Sequence, residues 1–498
     1  MPRNVIQVVV DQQIAGCAGY EGHPQAITPH LDRLAAEGTW FRHAYTANPI
    51  CTPTRVSMLS GRYCCNHRCF GLAGPTPTDL PSFLGHFRAH GYATAAVGKL
   101  HLPDDPVDWA RDHCDLYANV MNRAPDSRPL YDALREAGYD DEFDACSLSE
   151  FPGTGNNAVE ARPSRLPFEL SAEGYANRLA GGFIDGAAAA GKPFCIQVSY
   201  HRPHQCYTPH RRFWELYDGD LELPPGALED LNPDRPPHFL RAARGHRNLP
   251  GDFEPTDPVS RMKRVWRGYL ACITHCDHAL GELLDHLEAR GVLDDTIVVF
   301  HADHGAYSGA FGINEKAPGI CSELVCRIPF LWRLPDTVAA GRRCDALAHV
   351  VDLAPTLSAL CGLPAMPGLD GVDLTPLLRG GGEPVRREAV TECAWSRSLR
   401  FDRWRYVHYP EGMFAGYDHG GDFAGELYDL ESDPWETRNL ARDAKHAAVL
   451  HEARRRLLDW LSQTLQPTTV LPKVGGNRGP VTRHDLETHV RAGKVQYL

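Results

Sequence analysis

The sequence predicts an α/β fold: a large, mostly parallel central sheet flanked by helices, followed by a small C-terminal α+β domain. Three observations carry this prediction. Short runs rich in Val and Ile recur along most of the chain, as strands buried on both faces do. Amphipathic stretches with helix start and stop residues lie between them. After about residue 375 the pattern changes to closely spaced short strand-like pieces and one helix rich in Leu and Arg.

Val5–Val10 is the first expected strand, and Ala93–Val97, Phe194–Ser199, Thr296–Phe300 and Ile328–Trp332 follow. A helix is expected from Thr28-Pro29, an N-cap with Pro at the first position, to Gly38. Another spans Pro81–His90 and stops at Gly91, and a long one covers roughly Ser260–Arg290. Gly380-Gly381-Gly382 is a flexible break. Strands are then expected at Glu388–Cys393, Ser398–Phe401, Tyr406–His408 and Glu426–Tyr428, with a helix over Ala447–Leu465. This divides the chain into a catalytic α/β domain (1–375), a small antiparallel sheet with one helix (376–465) and a tail (466–498). The tail is either an arm that wraps a partner subunit of a homo-oligomer or a surface extension.

Composition bounds the function. The 498 residues are 43% hydrophobic and 23% charged, ordinary values for a globular chain of two domains. A net charge of -12 argues against nucleic-acid binding and requires any anion site to be a local basic pocket. No apolar run has the length of a membrane span, so no membrane partner is expected. The opening residues read as a strand beginning near Asn4 and not as a signal peptide. A cytoplasmic location is therefore expected, with the 16 cysteines reduced and mostly buried. Cys64, Cys65 and Cys69 lie close together but lack the following ligands of a zinc site.

Chemistry gathers where the expected strands end. Asp11 and Gln12 follow the first strand, and Asp303 and His304 follow Thr296–Phe300. Asp11 reads either as an N-cap or as a metal ligand. The four together make a mixed oxygen and nitrogen site for one divalent ion. Ca²⁺ is the expectation and Mn²⁺ the alternative that the imidazole favours. Cys51-Thr52-Pro53-Thr54-Arg55 precedes an apolar stretch that reads as a helix starting at Pro53. Cys51 then sits beside a helix N-terminus, where free amides attract an anion. Arg55 lies one turn on and can pair with that anion. Taken alone, the segment also reads as a buried Cys before a helix. Lys99 and His101, two apart in an expected extended segment, point to one side and can both donate to an anion. His201 and His204 follow Phe194–Tyr200, and Lys316 precedes Glu323 and Arg327. In an α/β sheet such residues converge at the carboxyl edge, as a site for a tetrahedral anion beside a metal.

These residues resemble the signatures of the formylglycine-dependent sulfatase family of the alkaline-phosphatase superfamily. Cys51-Thr52-Pro53-Thr54-Arg55 is similar to its Cys/Ser-x-Pro-x-Arg maturation signature, and Gly98-Lys99-Leu100-His101 to its Gly-Lys-x-His. Thr28–Leu34, Arg202-Pro203-His204, Asp303-His304-Gly305, Lys316 and Leu427–Pro434 also fit. The resemblance implies that a formylglycine-generating maturation enzyme oxidises Cys51, and that the aldehyde hydrate attacks a sulfate monoester. It implies Asp11, Gln12, Asp303 and His304 as metal ligands, and Arg55 as the residue orienting the nucleophile. It implies Lys99, His101 and Lys316 as sulfate holders and His204, or less readily His201, as the leaving-group donor. Gln12 and His304 stand where many arylsulfatases have Asp and Asn. That combination resembles the choline-sulfatase and phosphonate-monoester-hydrolase branches. Lys99 and His101 keep the sulfatase pattern and favour a small or carbohydrate sulfate ester, with a phosphonate monoester or phosphodiester as the alternative.

Overall fold

The structure is a computed structural model. It describes residues 2–72, 80–103, 109–120, 125–139, 161–224, 226–227, 235–236, 239–240, 243, 257–313, 316, 320–393, 395–411 and 425–465. The expected tail (466–498) lies outside the described residues.

Among the described residues the main sheet holds nine strands: β1 (Asn4–Val10), β2 (Thr39–Tyr45), β3 (Ala93–Gly98), β4 (Leu116–Asn119), β5 (Phe194–Ser199), β6 (Thr296–Ala302), β7 (Arg327–Ile328), β8 (Phe330–Arg333) and β9 (Arg342–His349). Their order is β4-β3-β5-β1-β6-β8-β2-β7, with β9 also paired to β2. The block from β4 to β6 is parallel throughout. Its middle strands are Val- and Ile-rich because both faces are covered: Val5, Ile6, Ile196, Val198, Ile297 and Val298 are fully buried. The sequence reading misses β2, β4 and β9. It also reads Ile328–Trp332 as one strand. Pro329, which has no N–H for a ladder, splits that run into β7 and β8, and β8 runs antiparallel to both neighbours.

Helices flank the sheet: α1 (Pro29–Glu37), α2 (Cys51–Ser60), α3 (Phe83–Ala89), α4 (Ala172–Ala189) and α5 (Pro258–Ala289). Side-chain caps fix several starts. Ser82 accepts from Gly85 N and Ser171 from Gly174 N. The expected Thr28 cap of α1 is absent. Thr28 Oγ1 instead accepts from Gly19 N at 2.8 Å, and Asp277 of α5 accepts from His30 N and Leu31 N at 3.2 and 2.7 Å. A carboxylate from another helix thus occupies the positive end of α1. Helix α2 starts at Cys51, two residues before the expected Pro53, and Asn48 Oδ1 accepts from Ile50 N at 3.0 Å to shape its approach.

A second, antiparallel sheet holds β10 (Glu388–Glu392), β11 (Arg397–Phe401), β12 (Trp404–His408) and β13 (Glu426–Asp429) in sequence order, with α6 (Ala447–Thr464) packed on it. These elements match the expected ones within a residue or two. The two sheets are stitched together at β10. Thr391 Oγ1 donates to Thr46 O at 2.7 Å, Glu392 N donates to Ala47 O at 2.7 Å, and Cys65 N donates to Glu392 Oε2 at 2.9 Å. The residues that lead into Cys51 are therefore clamped from the C-terminal side. No described helix is long and apolar enough to cross a membrane.

Candidate active site

The parallel strands deliver their next residues to one edge. Asp11 follows β1, Lys99 follows β3, His201 follows β5 and Asp303 follows β6, and α2 brings Cys51 and Arg55 against them. Close strand approach here demands a glycine. Gly98 has φ +98°, and a Cβ on it would lie 1.9 Å from Ser199 O.

Arg55 is the hub. It is fully buried and bridges two buried carboxylates, with its guanidinium 3.1 Å from Asp11 Oδ2 and 2.9 Å from Asp303 Oδ2. The same guanidinium donates to Lys99 O at 2.6 Å and to Ser199 Oγ at 2.8 Å. Lys99 Nζ closes a further ion pair on Asp11. Removing this Arg would leave two like charges buried together, an arrangement that costs several kcal/mol unless a cation stands between them.

Cys51 Sγ lies 3.8 Å from Asp11 Oδ1 and 3.2 Å from His304 Nε2. Ligand atoms of Asp11, Cys51, Asp303 and His304 all fall within 4.8 Å of one another. His304 Nδ1 lies 2.7 Å from Gly305 O, the geometry of an N–H given to a carbonyl, which leaves Nε2 facing Cys51. Metal-binding histidines are oriented in this way. Asp303 Oδ1 accepts from the backbone N–H of Gln12 and His304. Gln12 has a left-handed backbone, φ +67°, and both polar atoms of its side chain are buried with no partner among the described residues. An orphaned carbonyl oxygen on the residue that follows Asp11 and donates its N–H to Asp303 suits a divalent cation. The donor set fits the expected ion.

The electrostatics are those of a compact charge cluster. Burial pushes the Asp11 carboxyl up, but the charges around it, Lys99 foremost with Arg55 and His304, hold it well below the usual range. Burial and the charge of Asp11 raise Asp303. Burial and Asp11 oppose ionisation of the Cys51 thiol, yet Lys316, Lys99 and His304 pull it well below its ordinary value. Burial disfavours charge on His304, but Asp303 and Cys51 raise it. Burial and Lys99 keep His201 and His204 neutral.

The structure brings together Asp11, Gln12, Cys51, Arg55, Lys99, Asp303 and His304 by direct contact or adjacency. Lys316 acts on the same cluster through its charge, and burial together with Lys99 and Lys316 keeps the nearby His204 uncharged. His204 Nδ1 lies 2.5 Å from Gln205 O, and its ring centroid is 5.1 Å from that of His201. His101 departs from the expected picture. Its φ is +47° and Gly98 is also left-handed, so the segment is not the extended one expected. Its Nδ1 is buried without a partner among the described residues. Glu323 and Arg327 are 3.5 Å apart, and Glu323 also accepts from Tyr45 OH at 3.1 Å, a structural contact.

Sequence reasoning missed Glu173. It lies fully buried in α4, pairs with Arg202, and accepts from His201 N and Arg202 N at 3.1 and 3.0 Å. It therefore anchors the turn that carries His204. Ser199 and Thr46 were also missed. Thr46 Oγ1 donates to Asp303 O at 2.5 Å and lies 2.6 Å from Thr54 Oγ1, tying the Asp303 turn to α2. Glu173 is one of three charged residues in α4, with Arg178 and Asp185, so the sequence does not single it out.

Comparisons with known proteins agree with this geometry. The family model described as Sulfatase matches residues 3–363, and the one described as N-sulphoglucosamine sulphohydrolase, C-terminal, matches residues 319–463. The chain is 28% identical over 458 residues to the choline-sulfatase of Rhizobium meliloti (strain 1021), covering 89% of this chain and 83% of that one. It is 23% identical over 529 residues to the N-acetylglucosamine-6-O-sulfatase of Bacteroides thetaiotaomicron, covering 93% and 86%. The phosphonate monoester hydrolase from Silicibacter pomeroyi shares the fold, with a TM-score of 0.76 and 24% identity over 93% of this chain and 96% of that one.

Proposed function

Because the chain belongs to the sulfatase family and is a sulfuric ester hydrolase, we propose that it cleaves a small or carbohydrate sulfate monoester through a formylglycine made from Cys51. The names of its relatives, a choline-sulfatase and an N-acetylglucosamine-6-O-sulfatase, support that substrate class. The observation that carries the reading is the position of Cys51 Sγ, 3.2 Å from His304 Nε2 and 3.8 Å from Asp11 Oδ1.

A maturation enzyme converts the Cys51 side chain to an aldehyde, whose hydrate is a geminal diol. One diol oxygen attacks sulfur and expels the alcohol, and the other then loses a proton and ejects sulfate as the aldehyde re-forms. A divalent ion held by Asp11, Gln12, Asp303 and His304, with Ca²⁺ first and Mn²⁺ second, would supply Lewis acidity at the sulfate oxygen and the nucleophile.

The chain's own residues do the rest. Arg55 keeps Asp11 and Asp303 ionised and oriented, and its charge offsets that of the nucleophile. Lys99 and Lys316 bring positive charge to the sulfate oxygens, where charge develops in the transition state. His101 is assigned with them on the resemblance alone. His204 is neutral in the resting site, so it serves as an acid only after gaining a proton. A bound sulfate's negative charge raises its proton affinity at that moment, and its Nε2 then gives the proton to the leaving oxygen.

Rates on an aryl sulfate and an aryl phosphonate monoester test this reading, using protein made with its maturation enzyme. A higher kcat/KM on the sulfate is expected. A higher value on the phosphonate would move the chain to the phosphonate-hydrolase alternative.

A further inference from the structure

The encoded side chain at position 51 is a thiol, and on the proposed mechanism an aldehyde replaces it only later. Before that step the cluster offers one sulfur, one imidazole nitrogen and two carboxylates. Among the described residues, Asp11, Cys51, Asp303 and His304 are the one such group whose ligand atoms all lie within 4.8 Å of one another.

Their separations approach those of a tetrahedral zinc shell. Zn–S bonds of about 2.3 Å and Zn–N or Zn–O bonds of about 2.0 Å set the sulfur about 3.5 Å from each N or O ligand. Cys51 Sγ lies 3.2 Å from His304 Nε2 and 3.8 Å from Asp11 Oδ1, on either side of that value. His304 Nε2 lies 3.9 Å from Asp303 Oδ1, against about 3.3 Å in the same ideal shell. Small side-chain shifts close the four atoms around one ion. The surrounding contacts present the right atoms. Arg55 holds Asp11 by Oδ2, which leaves Oδ1 turned to Cys51. His304 Nδ1 is turned to Gly305 O, so Nε2 keeps its lone pair for an ion.

We propose that the chain with unmodified Cys51 binds Zn²⁺ through Cys51 Sγ, His304 Nε2 and one oxygen each of Asp11 and Asp303, and that oxidation of Cys51 ends this preference. The thiol proton passes to solvent as the Zn–S bond forms. Thiolate selects a soft or borderline ion such as Zn²⁺. Ca²⁺ takes roughly six to eight oxygens, and an aldehyde hydrate supplies oxygen where the thiolate supplied sulfur. One atom thus decides which ion the same carboxylates and imidazole hold. This zinc site rests on the metal-ligand reading above and not on the identity of the ester.

The test uses protein made without the maturation enzyme, stripped of metal and titrated anaerobically with Co²⁺. Cobalt stands in for zinc, and its thiolate complexes show a sulfur-to-metal absorption band in the near ultraviolet. Unmodified protein is expected to bind one Co²⁺ per chain with this band, and one equivalent of Zn²⁺ should bleach it. Protein made with the maturation enzyme is a control that needs no substitution. Its band should fall in proportion to the aldehyde content, measured by mass spectrometry of the Cys51 peptide. Cys51→Ser should abolish the band and weaken Zn²⁺ binding at least about 100-fold, since even the partners of metal ligands are worth roughly 10–100-fold. No band in unmodified protein, or an equal band in Cys51→Ser or in the aldehyde form, would overturn the proposal. Metal-dependent turnover of a sulfate ester by the mature protein, measured in parallel, reports separately on the proposed function.

Discussion

Cys51 Sγ lies 3.2 Å from His304 Nε2, and neither side chain reaches solvent. The proximity ties the proposed nucleophile precursor to a proposed metal ligand, so a change at Cys51 is expected to act on turnover far more than on folding. Cys51→Ala is expected to lower kcat at least about 10³-fold, as loss of a nucleophile does, while the melting temperature stays within a few degrees. Steady-state rates and calorimetry check both halves. Mass spectrometry of the Cys51 peptide checks the aldehyde directly, and only unmodified thiol in active enzyme would sink the mechanism.

Stripping the metal should cost stability as well as activity. Asp11 and Asp303 share one buried space with Gln12, whose side chain has no protein partner among the described residues. An ion present at a hundred times its Kd stabilises the folded state by about 2.7 kcal/mol. EDTA is therefore expected to abolish turnover and lower the melting temperature, with both restored by Ca²⁺ or Mn²⁺. An unchanged melting curve after verified metal removal would refute the ligand assignment.

Glu173→Ala removes the partner of a buried Arg and two backbone N–H groups at once. The expected loss is about 3–5 kcal/mol, the usual cost of breaking a buried ion pair. Glu173→Gln keeps the amide oxygen for His201 N and Arg202 N and should recover part of that stability. Urea denaturation of the three proteins measures the difference. Because this residue anchors the His204 turn, kcat of Glu173→Gln should fall more than KM changes.

His67 makes stability depend on pH. It is fully buried, and burial lowers its pKa to about 3. The unfolded chain takes up this proton near pH 6.5 and the folded chain does not. Its contribution is therefore complete above about pH 6.5 and is lost as pH falls toward 3, by up to ~1.4 kcal/mol per pH unit. His67→Gln should remove that slope, and denaturation midpoints at several pH values will show whether it does.

Much of the site was legible because strand ends are legible. Val- and Ile-rich runs mark β1, β5 and β6, and the polar residue that follows each buried run has to justify its burial. Asp11, Asp303 and His201 stand out for that reason. What supports them was not legible. Asp277 caps a helix that lies far away in sequence, and Glu173 sits in a helix whose many glycines obscure its period. The left-handed backbone at Gly98 and His101, in place of the extended segment expected there, was not legible either. Strand β2, Thr-Trp-Phe-Arg-His-Ala-Tyr, carries no run of β-branched residues and so announces nothing.

The clamp of β10 on Thr46 and Ala47 sets a clock. Cys51 is 1% exposed, and the residues just before it are held by a strand encoded far downstream. On the proposed mechanism, an enzyme that oxidises Cys51 would have access only until the ribosome has released β10 and that strand has docked. Maturation would then compete with synthesis and folding, and slowing translation between Cys51 and Glu388 should raise the fraction of modified chains. The yield of active protein would then be decided by timing as much as by the finished structure.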